Sequence, residues 1–158
     1  MECEPSEISS VVYVFHDATE NKFLLERRAQ SNPVCPNEVM FPSEKGIQER
    51  TENLISRGCR EEFGKNVKLE NYVSLQPFAG QVGNLGMGII NTIVISKWSG
   101  HIVNVEPEKA LHIWVERKDV LKTLTKVESK LLFLLVLSYL RIISHADFCD
   151  APEVAVQI

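Results

Sequence analysis

FPSEKGIQERTENLISRGCREEFG, residues 41–64, opens as a loop around Pro42 and Gly46 and turns into a helix over about 49–63. Leu54, Ile55 and Cys59 fall on one narrow apolar face of that helix. Its last turn carries Glu61-Glu62, and Gly64 follows as a C′ residue expected in the left-handed conformation. Gly58 lies inside the helix, where glycine costs about 1 kcal/mol relative to alanine, so a local rule is broken there and a reason is owed. So many carboxylates around one helix end form either a metal site or a solvated helix face.

On the N-terminal side, residues 1–7 form a loose, acidic leader without the apolar run of a signal peptide. Residues 8–16, ISSVVYVFH, are β-branched and aromatic and predict a strand. The turn cluster DATEN connects it to a second strand, KFLLERR, over 22–28, in a hairpin. Residues 29–38 contain two prolines and predict a loop, and 39–42 form a short strand leading into the quoted segment. On the other side, strands are predicted over 67–77, 87–99 and 111–116, with 78–86 a glycine-rich loop. A short helix is expected over 118–124 and a longer one over 127–144. The apolar face of the longer helix is wide enough to suggest burial on more than one side. This order of elements predicts one α+β domain over residues 1–158, a mixed sheet in α/β/α layers, with 1–7 and about 146–158 as peripheral tails.

The composition, 44% hydrophobic and 24% charged, suits a globular domain. A net charge of −4 argues against a general nucleic-acid binder but not against small phosphorylated ligands, whose charge a divalent cation can offset. Cys3, Cys35, Cys59 and Cys149 form no C-x-x-C pair and read as free thiols in a reducing compartment. The most apolar run, 131–140, is about half of a membrane span. A cytoplasmic protein with no membrane contact is the expectation.

The quoted segment resembles the Nudix box, G-x5-E-x7-R-E-U-x-E-E-x-G-U, with U apolar. Anchored on its end, Glu49, Arg57, Cys59, Glu61, Glu62 and Gly64 are in register. The flanks agree: KFLLERR resembles the family's second strand, and Glu106-Pro107-Glu108-Lys109 with the following HIWV resembles a segment common in nucleotide-hydrolysing members. The sequence departs from the pattern where Ser43-Glu44 replaces a Gly-Gly pair, Gly58 replaces a glutamate that is a metal ligand in many members, and Lys65 replaces an apolar residue. A second register, Gly46-x5-Glu52-x7-Arg60-Glu61, fits the first half of the box and then fails, placing Gly64-Lys65 where two glutamates belong.

The resemblance implies an α/β/α sandwich and an Mg²⁺- or Mn²⁺-dependent hydrolase of a nucleoside di- or triphosphate derivative. Glu61, Arg57 and Glu49 would be the catalytic group, with Glu61, Glu62 and Glu108 as metal ligands. Arg28 and Phe78 would contact substrate. The loss of a carboxylate at Gly58 implies weakened catalysis, and the rival reading is an impaired Nudix domain that binds a nucleotide or a protein partner. Many members are dimers, so a homodimer is open. Against these roles stand plainer ones: Glu49, Glu52 and Arg57 as surface ion pairs, His16 and His112 as sheet residues, Cys59 as core, Phe78 and Trp98 as packing.

Overall fold

Strand β1 (Ile8–Asp17) is the hub of the architecture, and it pairs with three other strands. The computed structural model describes residues 8–141. After β1 come β2 (Lys22–Arg28), β3 (Val39–Met40), β4 (Ser43–Ile47), α1 (Thr51–Phe63), β5 (Lys68–Ser74), β6 (Phe78–Val82), β7 (Gly86–Ser99), β8 (Ala110–Glu116), α2 (Arg117–Thr123) and α3 (Val127–Leu140). β7 runs parallel to β1, from Ser9↔Ile89 to Phe15↔Ile95. On its other edge β1 pairs antiparallel with β4 over Ile8–Val12, and with β2 only at His16 and Asp17. The sheet forks where β1 leaves β4 for β2. β2 continues into β3 on one side and β8 on the other.

Alternation along the central strands sorts side chains into two layers. Val11, Tyr13 and Phe15 of β1, Leu24 of β2 and Ile93 and Ile95 of β7 pack against Leu54, Ile55, Cys59 and Phe63 of α1. Val14, Phe23, Leu25 and Val94 point the other way, onto Leu132, Phe133, Val136 and Leu137 of α3 and Val120, Leu121 and Leu124 around α2. From Val11 to Phe15, β1 is apolar and, apart from half-buried Val12, buried on both faces, as a strand between two helical layers must be. The result is the expected mixed sheet between α1 and α3.

Two segments expected as loop are strands. Ser43–Ile47 pairs with the first half of β1, whose backbone groups would otherwise lack partners, and Gly46 sits opposite Ser9. Phe78–Val82 forms a hairpin with the start of β7, closed by a turn in which Gly83 and Gly86 take positive φ. Helix α1 starts at Thr51, two residues later than expected, because Gln48 has φ 51° and Arg50 is extended. Glu49 therefore belongs to the turn before the helix. Gly64 ends α1 at φ 99°, ψ 155°, a region open essentially to glycine but not the left-handed helical one.

Helix α3 buries one side only. Leu135 is 58% exposed and Tyr139 48%, because the sheet covers a single face of the helix. Its predicted extension to 144, the tails at 1–7 and 146–158, and Cys3 and Cys149 lie outside the described residues. Cys35 and Cys59 are free thiols. No described helix is long and apolar enough to cross a membrane.

Candidate functional site

Arg57 ties the quoted segment together. Its Nε donates to both oxygens of Glu49 at 3.0 and 3.2 Å, and its NH2 group donates to Glu49 Oε1 at 2.8 Å and to the Lys45 carbonyl at 3.0 Å. Its NH1 group donates to Glu61 Oε2 at 2.8 Å, one helical turn on. The guanidinium thereby fixes the turn and β4 against α1, and hydrogen bonding from it holds the Glu49 carboxyl below its ordinary range. Arg60 and Glu52, the alternatives in the second register, are exposed.

Beyond this network a second group of carboxylates converges. Glu26 of β2, Glu62 of α1 and His112 of β8 each present one metal-binding atom, and these atoms lie within 4.8 Å of one another. Register brings two of them together, since Glu26 and His112 are direct partners across the β2–β8 pair. Glu62 projects from the C-terminal turn of α1, and Glu26 is only 2% exposed. Arg28 donates to Glu26 Oε1 at 3.1 Å and is itself held by Asn32 and the Val34 carbonyl.

The electrostatics follow from burial. Desolvation first, then the charges of Glu26, Glu44 and Glu106, push the Glu62 carboxyl up to about 8. Burial also raises Glu26, although the Arg28 guanidinium opposes it. Burial lowers the imidazole of His112, whose Nδ1 is buried without a hydrogen-bond partner. Crowded, desolvated carboxyls and an orphaned ring nitrogen form a poor resting arrangement alone. A divalent cation would relieve both, because it accepts carboxylate oxygens and a neutral imidazole together. The donor set fits such an ion.

The group lies in a cavity of about 840 Å³ at the fork of the sheet, bounded by β1, β2, β4, β6 and the start of α3. Loop 29–38 and the Phe78–Val82 strand supply wall residues such as Cys35 and Phe78.

The sequence candidates divide between the two networks. Glu61 lines the cavity but is half-exposed and ion-paired with Arg57. Glu49 and Arg57 bind each other and do not line it. Glu62, Arg28 and Phe78 all line it. Glu108 is exposed and outside the wall, whereas Glu106, two residues earlier, is in it and pairs with Lys109 at 3.1 Å. Trp98 packs edge-on against Phe15 and stacks on Trp114, away from the cavity. His16 stacks on Phe23, and Cys59 is buried with its thiol pushed up to about 11.

Glu26, Glu44 and His112 are the residues that sequence reasoning missed. One signal was available for Glu26: strand alternation puts it on the face of Leu24, a buried position beside an arginine.

The sequence matches no family model and no curated protein. Solved structures do match its fold. The MutT mutator protein of Bacillus halodurans superposes with a TM-score of 0.65 at 18% identity, covering 82% of each chain. A MutT Nudix hydrolase of Burkholderia pseudomallei gives 0.58 at 18% identity, covering 81% of this chain and 98% of the other. The C-terminal domain of mouse MUTYH, solved in complex with human PCNA, gives 0.61 at 12% identity, covering 88% and 93%. The chain has the Nudix fold.

Proposed function

We propose that this chain is a Nudix-type hydrolase of a nucleoside di- or triphosphate derivative and works with Mg²⁺ or Mn²⁺. The observation that carries the reading is the convergence of Glu26, Glu62 and His112 within 4.8 Å at the wall of the large cavity. These three residues would hold the cation, with Glu61 facing the same cavity. When bound, the cation offsets phosphate charge and lowers the pKa of the water that attacks phosphorus.

The chain's own residues do the rest. Arg57 fixes the Glu61 carboxylate at 2.8 Å, so that group needs no reorganisation during the reaction. Lys45 and Lys109 line the cavity and present point charges to phosphate oxygens. Arg28 uses three hydrogen bonds on the protein and keeps N–H donors to spare. The exposed ring of Phe78 offers a flat apolar surface to a base.

A second reading, a binding module without turnover, draws on the likeness to the MUTYH domain in its complex with PCNA. Hydrolysis of a panel of nucleoside triphosphates and nucleoside-diphosphate conjugates, with Mg²⁺ or Mn²⁺, separates the two. Wild type should release product and Glu62→Gln should not. Mn²⁺ should also raise the melting temperature of wild type. An inert wild type with no thermal response to either cation leaves the binding module.

A further inference from the structure

We propose that Glu44 supplies, from strand β4, the metal-holding carboxylate that helix α1 lacks at Gly58. This rests on the hydrolase reading above and deepens it. A Cβ added at Gly58 would lie 2.3 Å from Tyr13 Oη and 2.7 and 2.9 Å from Cβ and Cγ of Glu44. Real Cβ atoms essentially never come closer than 3.0 Å to such neighbours. The glycine is therefore the opening through which the Glu44 side chain crosses the helix.

The direction of that side chain is set by strand pairing. Glu44 sits opposite Val11 in the β1–β4 ladder, one residue beyond the strand's start at Ser43. Its Oε1 accepts from its neighbour Lys45 N at 3.0 Å and lies 3.9 Å from Arg57 NH1. Glu44 and Glu62 both line the cavity, and the Glu44 charge acts on the Glu62 carboxyl. The Glu44 side chain is 17% exposed and lines the cavity with Glu26, Glu62 and Glu106. On this proposal, Glu44 would add a fourth donor, a carboxylate oxygen, to the Glu26, Glu62 and His112 group from the same cavity wall. Arg57, also bonded to Glu49 and Glu61, anchors both ends of this arrangement.

Gly58 and Ser43-Glu44 then form one compensated change. The helix gives up a side chain and the strand provides a carboxylate over the vacated position. Such an exchange retains metal binding where a bare loss at Gly58 would weaken it.

The test is Mn²⁺ affinity by calorimetry and by the electron paramagnetic resonance of free Mn²⁺, on wild type, Glu44→Gln, Glu44→Asp, Glu62→Gln and the exposed control Glu70→Gln. Glu44→Gln should keep the circular dichroism of wild type and lose about tenfold or more in Mn²⁺ affinity. Glu70→Gln should bind as wild type does. If Glu62→Gln loses Mn²⁺ while Glu44→Gln binds normally, Glu44 has no such role and the hydrolase reading stands. If wild type binds no Mn²⁺, both fall. Should Glu44→Gln fail to fold, Glu44→Asp decides: its shortened side chain should bind Mn²⁺ several-fold more weakly, and unchanged affinity overturns the proposal.

Discussion

Gly58→Ala adds one methyl group to the face of α1 that meets β1, and two opposing effects compete. Helix propensity favours the substitution by about 1 kcal/mol. Packing opposes it, because the new carbon would sit 2.3 Å from Tyr13 Oη. Tyr13 cannot swing aside: it is fully buried, packs edge-on against Phe63 at 5.2 Å, and donates its hydroxyl to the Ile55 carbonyl at 2.8 Å. Glu44 Cβ, 2.7 Å away, is fixed to the β4 backbone and yields only if the strand moves. Overpacking costs about 1–3 kcal/mol, and displacing a buried hydroxyl from its acceptor costs about 1–3 kcal/mol more. Packing wins, with a net loss of about 1–5 kcal/mol and a melting temperature lower by roughly 2–20 °C for a domain of this size. Urea and thermal unfolding followed by circular dichroism measure both. Tyr13→Phe removes the closest contact, so Gly58→Ala should cost less in that background than in wild type. A Gly58→Ala protein as stable as wild type, or more so, would refute the reasoning, for then propensity alone would govern the site.

Glu62→Gln should stabilise the cation-free protein at pH 7. Below about pH 4.5 the carboxyl is protonated in both folded and unfolded chains; between there and about 8 only the folded chain keeps its proton, so stability declines as pH rises through that window. At 1.36 kcal/mol per pH interval of one, the gain at pH 7 is at most about 3 kcal/mol, and it vanishes near pH 4. Urea midpoints at the two pH values check this, and an unchanged or lower midpoint at pH 7 would contradict it. Arg57→Lys should loosen the turn before α1, because a single ammonium cannot hold Glu49, Glu61 and the Lys45 carbonyl together. Glu49 is held below its ordinary range by Arg57, so the stability that this pairing adds is present at neutral pH and fades as pH falls through the carboxylate range. The gap in melting temperature between wild type and Arg57→Lys should therefore narrow on acidification; a constant gap would mean that Arg57 acts through packing alone.

Strands β1, β2 and β7 and helix α1 were legible because their own residues carry the signal, β-branched and aromatic in the strands and an apolar stripe in the helix. Strands β4 and β6 were not. SEKGI and FAGQV have little intrinsic preference for strand, and they are extended because β1 and β7 offer them unpaired edges. The face of α3 was hidden for a different reason: after its polar first turn the helix is apolar on nearly every side, Ser138 excepted, so the sequence does not say which side meets the sheet.

The same division runs through the candidate site. Arg57 and Glu61 are four residues apart on one helix, and that spacing can be read along the chain. Glu26 and His112 meet only through the register of β2 with β8, a fact of tertiary structure. Glu44 is the sharpest case. In chain order Gly58 and Ser43-Glu44 are two separate departures from the Nudix pattern, and each counts against metal binding. In space the would-be Cβ of Gly58 falls on the Glu44 side chain, so the two are alternatives for one volume. A cation responds to where oxygens stand, not to which element delivers them. On our proposal the carboxylate has moved from helix to strand, and the relevant measure of catalytic competence is Mn²⁺ affinity rather than agreement with the motif.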